Sequence, residues 1–325
     1  MQDSILDFWL DNVKEEYRGE LQNMKQDKNL FDECFCSELQ FGTGGLRGIV
    51  GMGTNRMNIY TVGRVSRGLA AYMYDHGMKR IAISYDSRKM SRLFAETAAC
   101  VFAKNGIKVI IVQELMPTPF LSFLIRTDAC DMGVMITASH NPAAYNGYKV
   151  YNNESCQITD NTAREIACCI QKESYFEDNI LTFNHYLQAD AIQFVDEVVE
   201  EKYLQGIYNI VGKTDFSDIK VAYTALNGTG YRIMPKLLRG AGVNIVLTEQ
   251  QCIPDESFAT CPYPNPEKEK ALLLGIQTAK ASGCDLLIAT DPDADRIGIV
   301  VRHGKEYVIL TGNEVGLIFT KYLLQ

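Results

Sequence analysis

Three aspartates alternate in Asp291-Pro-Asp-Ala-Asp-Arg296, directly after the apolar run DLLIAT. Carboxylates at i, i+2 and i+4 form a compact set of hard oxygen donors, the kind magnesium favours. Without a cation they would repel one another. An EF-hand is excluded, because its sixth position needs glycine and holds Arg296, and its twelfth needs glutamate and holds Arg302. A solvated acidic turn is the simpler alternative. It fits poorly, since the apolar runs LLIAT and IGIVV bound the cluster on both sides. A second reactive set is Ile136-Thr-Ala-Ser-His-Asn-Pro142, which ends the apolar stretch MGVMIT. Ligands of open α/β sheets sit beyond the carboxyl ends of strands, so Ser139 falls where chemistry is expected. Pro142 makes the segment turn. Adjacent Ser139 and His140 alone make a poor nucleophile–base signal, and no Gly-x-Ser-x-Gly elbow is present. An Asn-Pro turn merely capped by the serine fits the same residues.

The loop Phe41-Gly-Thr-Gly-Gly-Leu-Arg-Gly48 brings glycines next to Arg47. Glycine lets a backbone approach a ligand, and arginine can grip phosphate with two parallel bonds. It is neither a phosphate-binding Walker loop nor a dinucleotide fingerprint, and a plain turn accounts for it equally well. Asp86-Ser-Arg88 ends the run KRIAISY and therefore points at the same edge as Ser139; a surface turn with a local ion pair is the alternative. Lys149 lies ten residues beyond Ser139, near enough in sequence to swing back as a cation or proton donor, or simply to be solvated. His76, His185 and His303 have no companions and read as structural.

Elements of alternating type must position these loops. Residues 3–38 are charged and helix-like, with Trp9 and Leu10 as anchors. Helical spacing then predicts helices over 61–76, 89–105, 117–126 and 159–172. Strands are predicted at 79–85, 107–113 and 132–137. The pattern restarts with an acidic helix at 187–204, a polar stretch at 212–218, strands at 219–224, 243–248 and 285–290, and helices at 230–239 and 267–281. Such alternation is the grammar of a parallel α/β sheet. The final residues, 312–325, read as a helix with Val315, Ile318, Phe319, Tyr322 and Leu323 on a stripe that wants burial.

The remaining arithmetic narrows the function class. The 325 residues suggest about two domains. With 46% hydrophobic residues the chain has ample material for a core. A net charge of −8 argues against nucleic acid as a partner. No apolar run is long enough to span a bilayer, and Met1 to Glu16 lacks the pattern of a secretion signal. Ten cysteines without a Cys-x-x-Cys spacing read as reduced, mostly buried thiols of a cytoplasmic protein.

TASHNP, DPDADR, FGTGGLRG and NGYKVY occur in one chain, in this set, at sensible separations, and FATCPYPNPE (258–267) precedes the aspartate strand. Together they resemble the α-D-phosphohexomutase superfamily, in particular its phosphoglucomutase/phosphomannomutase branch. The resemblance implies tandem α/β domains with mixed, mainly parallel sheets: domain I over 1–190, domain II over 191–310, and the start of a third over 311–325. It implies that Ser139 carries a transferable phosphate and that Asp291, Asp293 and Asp295, with a phosphoserine oxygen, hold magnesium. Arg47, His140 and Lys149 match positions around the phosphoserine, Lys149 for proton transfer to and from a sugar hydroxyl. Arg296 matches an arginine beside the metal, and Asp86 with Arg88 a supporting pair. Arg47, Arg88 and Arg296 are the expected phosphate or substrate contacts. The implied substrate is a small hexose phosphate, with a sugar 1,6-bisphosphate as intermediate and activator. The family's Gly-Glu-x-Ser-Gly and Arg-x-Ser-Gly-Thr loops are not found. An incomplete site is therefore expected, and a phosphate-carrying or sugar-phosphate-binding chain without turnover is the alternative. A nucleotide-dependent kinase is disfavoured by the missing glycine loops.

Overall fold

The computed structural model describes residues 2–177, 179–212 and 216–324. The charged N-terminal stretch is three helices, not one: α1 (Gln2–Asn12), α2 (Glu15–Met24) and α3 (Lys28–Phe35). Asp27 starts the third, its side chain accepting from the N–H groups of Asn29 and Leu30. Trp9 is their anchor. It is buried and its ring meets Phe35, Tyr60, Tyr175 and Phe176 at centroid distances of 5.2–5.9 Å. Leu10 only flanks this cluster.

The first α/β unit contains β1 (Leu46–Ile49), α4 (Ile59–Asp75), β2 (Arg80–Tyr85), α5 (Ser91–Lys104), β3 (Lys108–Ile111), α6 (Thr118–Thr127), β4 (Met132–Ile136), β5 (Tyr145–Asn152) and α7 (Asp160–Ile170). Val62, Val65, Leu69, Tyr72 and Met73, the stripe expected from spacing, are all buried along α4. Every residue of β4 is buried, which is why the run MGVMI has no alternation.

The expected acidic helix over 187–204 is not continuous. The chain forms α8 (Phe183–Gln188), β6 (Ile192–Phe194) and α9 (Glu197–Val211). Asp190 adopts a left-handed backbone (φ 58°) that stops α8, and Ile192 buries itself as a strand residue. β6 is the outer strand of the first sheet, so that sheet reaches slightly past residue 190. Of the polar stretch at 212–218, residues 213–215 lie outside the described residues.

The second unit contains β7 (Lys220–Thr224), α10 (Gly230–Gly240), β8 (Asn244–Leu247), α11 (Glu269–Ser282), β9 (Leu286–Thr290), β10 (Ile297–His303), β11 (Glu306–Leu310) and α12 (Gly312–Leu323). The sheets run β1-β5-β4-β2-β3-β6 and β11-β10-β9-β7-β8. Both are mixed, and taken together they are mainly parallel. The first is parallel from β4 through β6, with β5 and β1 added antiparallel at one edge. The second is parallel across β9, β7 and β8, with β10 and β11 added antiparallel. In α12 a capping box joins Thr311 and Glu314. Of its expected apolar stripe only Val315 is buried; Ile318, Phe319, Tyr322 and Leu323 are exposed.

All ten cysteines are free thiols, five of them buried. No helix among the described residues is long and apolar enough to cross a membrane.

Candidate active site

β4 delivers the serine. Beyond its end, Thr137 accepts the Ser139 N–H on its hydroxyl oxygen (2.8 Å) and donates to Asp86 Oδ2 (2.6 Å). Ser139 itself has φ 53°, an uncommon region for a side chain-bearing residue. Arg88 fixes the turn from beneath. Its Nη1 donates to the carbonyls of Pro142 (2.9 Å) and Tyr145 (3.0 Å), and its Nη2 to those of Ser139 (2.5 Å) and Asn141 (2.6 Å). Its Nε faces Asp86 Oδ2 at 3.2 Å. Burial pushes the Asp86 carboxyl up and the Arg88 guanidinium down, and each is opposed by the other's charge.

β9 delivers the aspartates. Asp291 and Asp293 are fully buried, while Asp295 is more open. One oxygen from each of the three carboxylates fits within 4.8 Å of the others. Asp291 Oδ1 accepts the Arg296 N–H (3.0 Å), and Asp291 Oδ2 accepts the Ser139 hydroxyl at 3.0 Å. Residues 152 apart in sequence thus meet directly. Burial and the charges of Asp293 and Asp295 push the Asp291 carboxyl well up.

Asp293 is balanced by a cation from the other unit. Lys149, on β5, donates to Asp293 Oδ2 (2.7 Å) and reaches Asp295 Oδ2 at 3.3 Å. Burial opposes the lysine's charge, but the two carboxylates outweigh it and raise its pKa. Burial likewise opposes ionisation of Asp293, and Lys149 together with hydrogen bonds to Asp291 and Thr118 more than offsets it, holding that carboxyl low. Asp295 is pushed up by burial and by Asp293. One oxygen, Asp293 Oδ1, is buried without a hydrogen-bond partner. Three clustered carboxylates, one with an orphaned oxygen, are a donor set that fits a hard divalent cation.

Residues 38–177 match the phosphoglucomutase/phosphomannomutase α/β/α domain I, and residues 201–304 match domain II of the same family. The chain belongs to the α-D-phosphohexomutase superfamily. A Staphylococcus haemolyticus phosphoglucomutase is 39% identical over 302 residues, covering 90% of this chain and 54% of the relative. One from Staphylococcus saprophyticus is 35% identical over 322 residues, covering 98% and 58%. The chain thus spans little more than half the length of these curated relatives. In fold it is similar to a Burkholderia thailandensis phosphoglucomutase/phosphomannomutase family protein, with a TM-score of 0.70 at 21% identity, covering 87% of this chain and 58% of that one.

Within this phosphohexomutase framework the sequence-derived residues can be located one by one. The glycine loop is a tight turn in which Gly42 and Gly45 exchange backbone bonds. Gly45 has φ 77°, and a Cβ there would lie 1.9 Å from the Tyr148 carbonyl oxygen, so no other residue fits. The turn feeds β1, whose pairing sets Arg47 opposite Gly147. Arg47 is exposed and donates to Asn141 Oδ1 (3.1 Å), beside the serine. His140 Nδ1 lies 3.2 Å from Ser139 Oγ. Burial, Arg296 and Arg47 lower its pKa, which favours the neutral ring. The serine's one proton goes to Asp291 in this arrangement, and the tautomer of His140 sets whether its Nδ1 donates to or accepts from the same hydroxyl.

Arg296 is exposed at the rim of the aspartate loop. Arg88 behaves as a support. Its two Nη groups donate to four loop carbonyls, while its buried Nε lies 3.2 Å from Asp86 Oδ2 without a hydrogen-bond partner. Thr118 went unnoticed in the sequence. It caps the site where α6 begins, its hydroxyl donating to Asp293 Oδ2 (2.9 Å) and its N–H to the Asp293 carbonyl (2.9 Å). The available signal was the dipeptide Thr118-Pro119 opening a helix just after a sheet edge.

Proposed function

We propose that this chain carries the phosphoserine and metal halves of a phosphohexomutase site. Ser139 would take a phosphoryl group from a hexose 1,6-bisphosphate and return one to a hexose monophosphate. The net reaction moves phosphate between the sugar's 1 and 6 oxygens. In the first half, the serine oxygen bonds to phosphorus, the bond from phosphorus to the sugar oxygen breaks, and the serine proton is replaced on that sugar oxygen. The second half is the reverse on the other oxygen. The observation that carries this reading is the 3.0 Å contact between the Ser139 hydroxyl and Asp291 of the acidic loop.

Asp291, Asp293 and Asp295 would hold magnesium, which supplies charge neutralisation for the transferring phosphoryl group. The chain's own residues do the rest. Thr137 and Arg88 set the serine's direction. The neutral ring of His140 is within reach to accept the serine proton. Lys149, kept protonated by its carboxylates, is the proton source we assign to the departing sugar oxygen. Arg47 and Arg296, at the rim, are suited to the phosphate's outer oxygens.

The test is direct. The 325-residue chain is incubated with glucose 1,6-bisphosphate and magnesium, and phosphate is mapped by mass spectrometry. Phosphate on Ser139 is the expected result. Labelling elsewhere, or none, would remove the reading. Isomerisation of glucose 1-phosphate in the same mixture measures how much of the full cycle this chain performs.

A further inference from the structure

The second unit reaches the serine loop at one more point, away from the aspartates. The Arg88 guanidinium carbon lies over the Phe258 ring, 5.1 Å from its centroid. The ring is fully buried. Phe258 has φ 48°, a backbone region that bulky residues rarely occupy. The surroundings must therefore hold an unfavourable conformation in place, and strain of this kind gathers where a side chain has to be aimed.

What holds it is visible. Asp255 accepts from the N–H groups of Ser257 and Ala259 and from the Ser257 hydroxyl, and its carbonyl accepts the Phe258 N–H. Asn227 donates to the carbonyls of Gln250 and Ile253 and accepts the Thr260 hydroxyl. The same turn grips the aspartate loop. Thr229 N–H donates to the Pro292 carbonyl at 2.8 Å. A Cβ on Gly228 would lie 2.3 Å from Pro292 Cα. One turn, 225–229, thus braces both the Phe258 segment and the loop that carries Asp291 and Asp293.

We propose that Phe258 is a positioning residue for Ser139, acting through Arg88. The hydrogen bonds of Arg88 act in the plane of its guanidinium. The aromatic face restrains the motion they leave free, which is tilt out of that plane. Phe258 thereby registers the serine loop of the first unit against the aspartate loop of its own. This inference rests on the phosphoryl-transfer reading for its consequence, though the contact itself does not.

The decisive variant is Phe258→Leu, which keeps an apolar, unbranched-at-Cβ side chain suited to the same backbone but removes the ring face. Amide hydrogen exchange over residues 137–146 should become about tenfold faster, with β4 and β9 unchanged. Phosphate uptake by Ser139 at saturating glucose 1,6-bisphosphate should slow by about the same factor, while the half-saturating concentration stays put. Phe258→Met, a second apolar side chain without a ring face, should reproduce both effects. Unchanged exchange over 137–146 in Phe258→Leu overturns the proposal, and so does an acceleration spread evenly over the second unit. The two readings fail separately. A wild-type chain that never takes phosphate on Ser139, yet shows the selective loosening, sinks the phosphoryl reading and leaves the positioning role standing.

Discussion

The serine loop and the aspartate loop are built alike and held differently. Each follows a strand at the centre of its sheet, and each has a non-glycine residue in a left-handed backbone, Ser139 at φ 53° and Ala294 at φ 52°. Strain of this sort costs about 1–3 kcal/mol per residue. The serine loop is stapled mainly by its own unit, through Arg88, Asp86 and Thr137. The backbone of the aspartate loop is braced by its own unit too, at Thr229, but its charge is not balanced there. Its excess negative charge is answered by Lys149 and Thr118, both from the other unit, and one carboxylate oxygen is left over. A loop that must present one hydroxyl can be complete in the bare protein. A loop proposed to receive a cation is, in keeping with that, short of positive charge.

The largest effect should come from the hydroxyl itself. Ser139→Ala should lower phosphate uptake at least about a hundredfold while the melting temperature barely moves. Label that persists on another residue would show that the serine loop is not the acceptor. Next is Arg88→Met, which strands Asp86 and four carbonyls. Breaking a buried pair of this kind costs about 3–5 kcal/mol, readable by urea unfolding. A loss below about 1 kcal/mol would mean that the loop does not depend on its internal staple.

For the aspartate loop, Lys149→Met should destabilise the chain in chelator, and magnesium should recover more stability than it gives the wild type. Equal magnesium shifts in both would break the comparison. Asp293→Asn should shrink the magnesium-induced rise in melting temperature, since a ligand that binds only the folded state stabilises in proportion to its affinity. The smallest effect belongs to Ala294→Gly. Relief of strain and added freedom in the unfolded chain oppose each other, so the net change should stay within about 1 kcal/mol.

Much of this site could be read from residue order alone. Buried strands announce themselves as unbroken apolar runs, and polar motifs at their ends have few places to go. That argument located Ser139, Asp86 and the three aspartates on sheet edges. It also predicted every helix of the first unit from α4 to α7. It failed at 187–204, where apolar residues fit helical spacing but a left-handed Asp190 and a three-residue strand intervene. Short strands carry too few residues to show a period. The partners of Arg88 were hidden for a different reason. They are backbone carbonyls, which have no signature in a sequence. The pairing of Lys149 with Asp293 was equally hidden, because 144 positions separate them and only the docking of two units brings them together.

That docking has a consequence for anyone who would dissect or recombine the chain. An ammonium group grown on one unit neutralises the acidic loop of the other, so separating them creates two liabilities at once: a stranded lysine on one piece and a self-repelling trio on the other. The halves are therefore poor interchangeable modules. A chimera that imports a foreign second unit must bring a loop whose charge pattern suits the lysine already waiting for it.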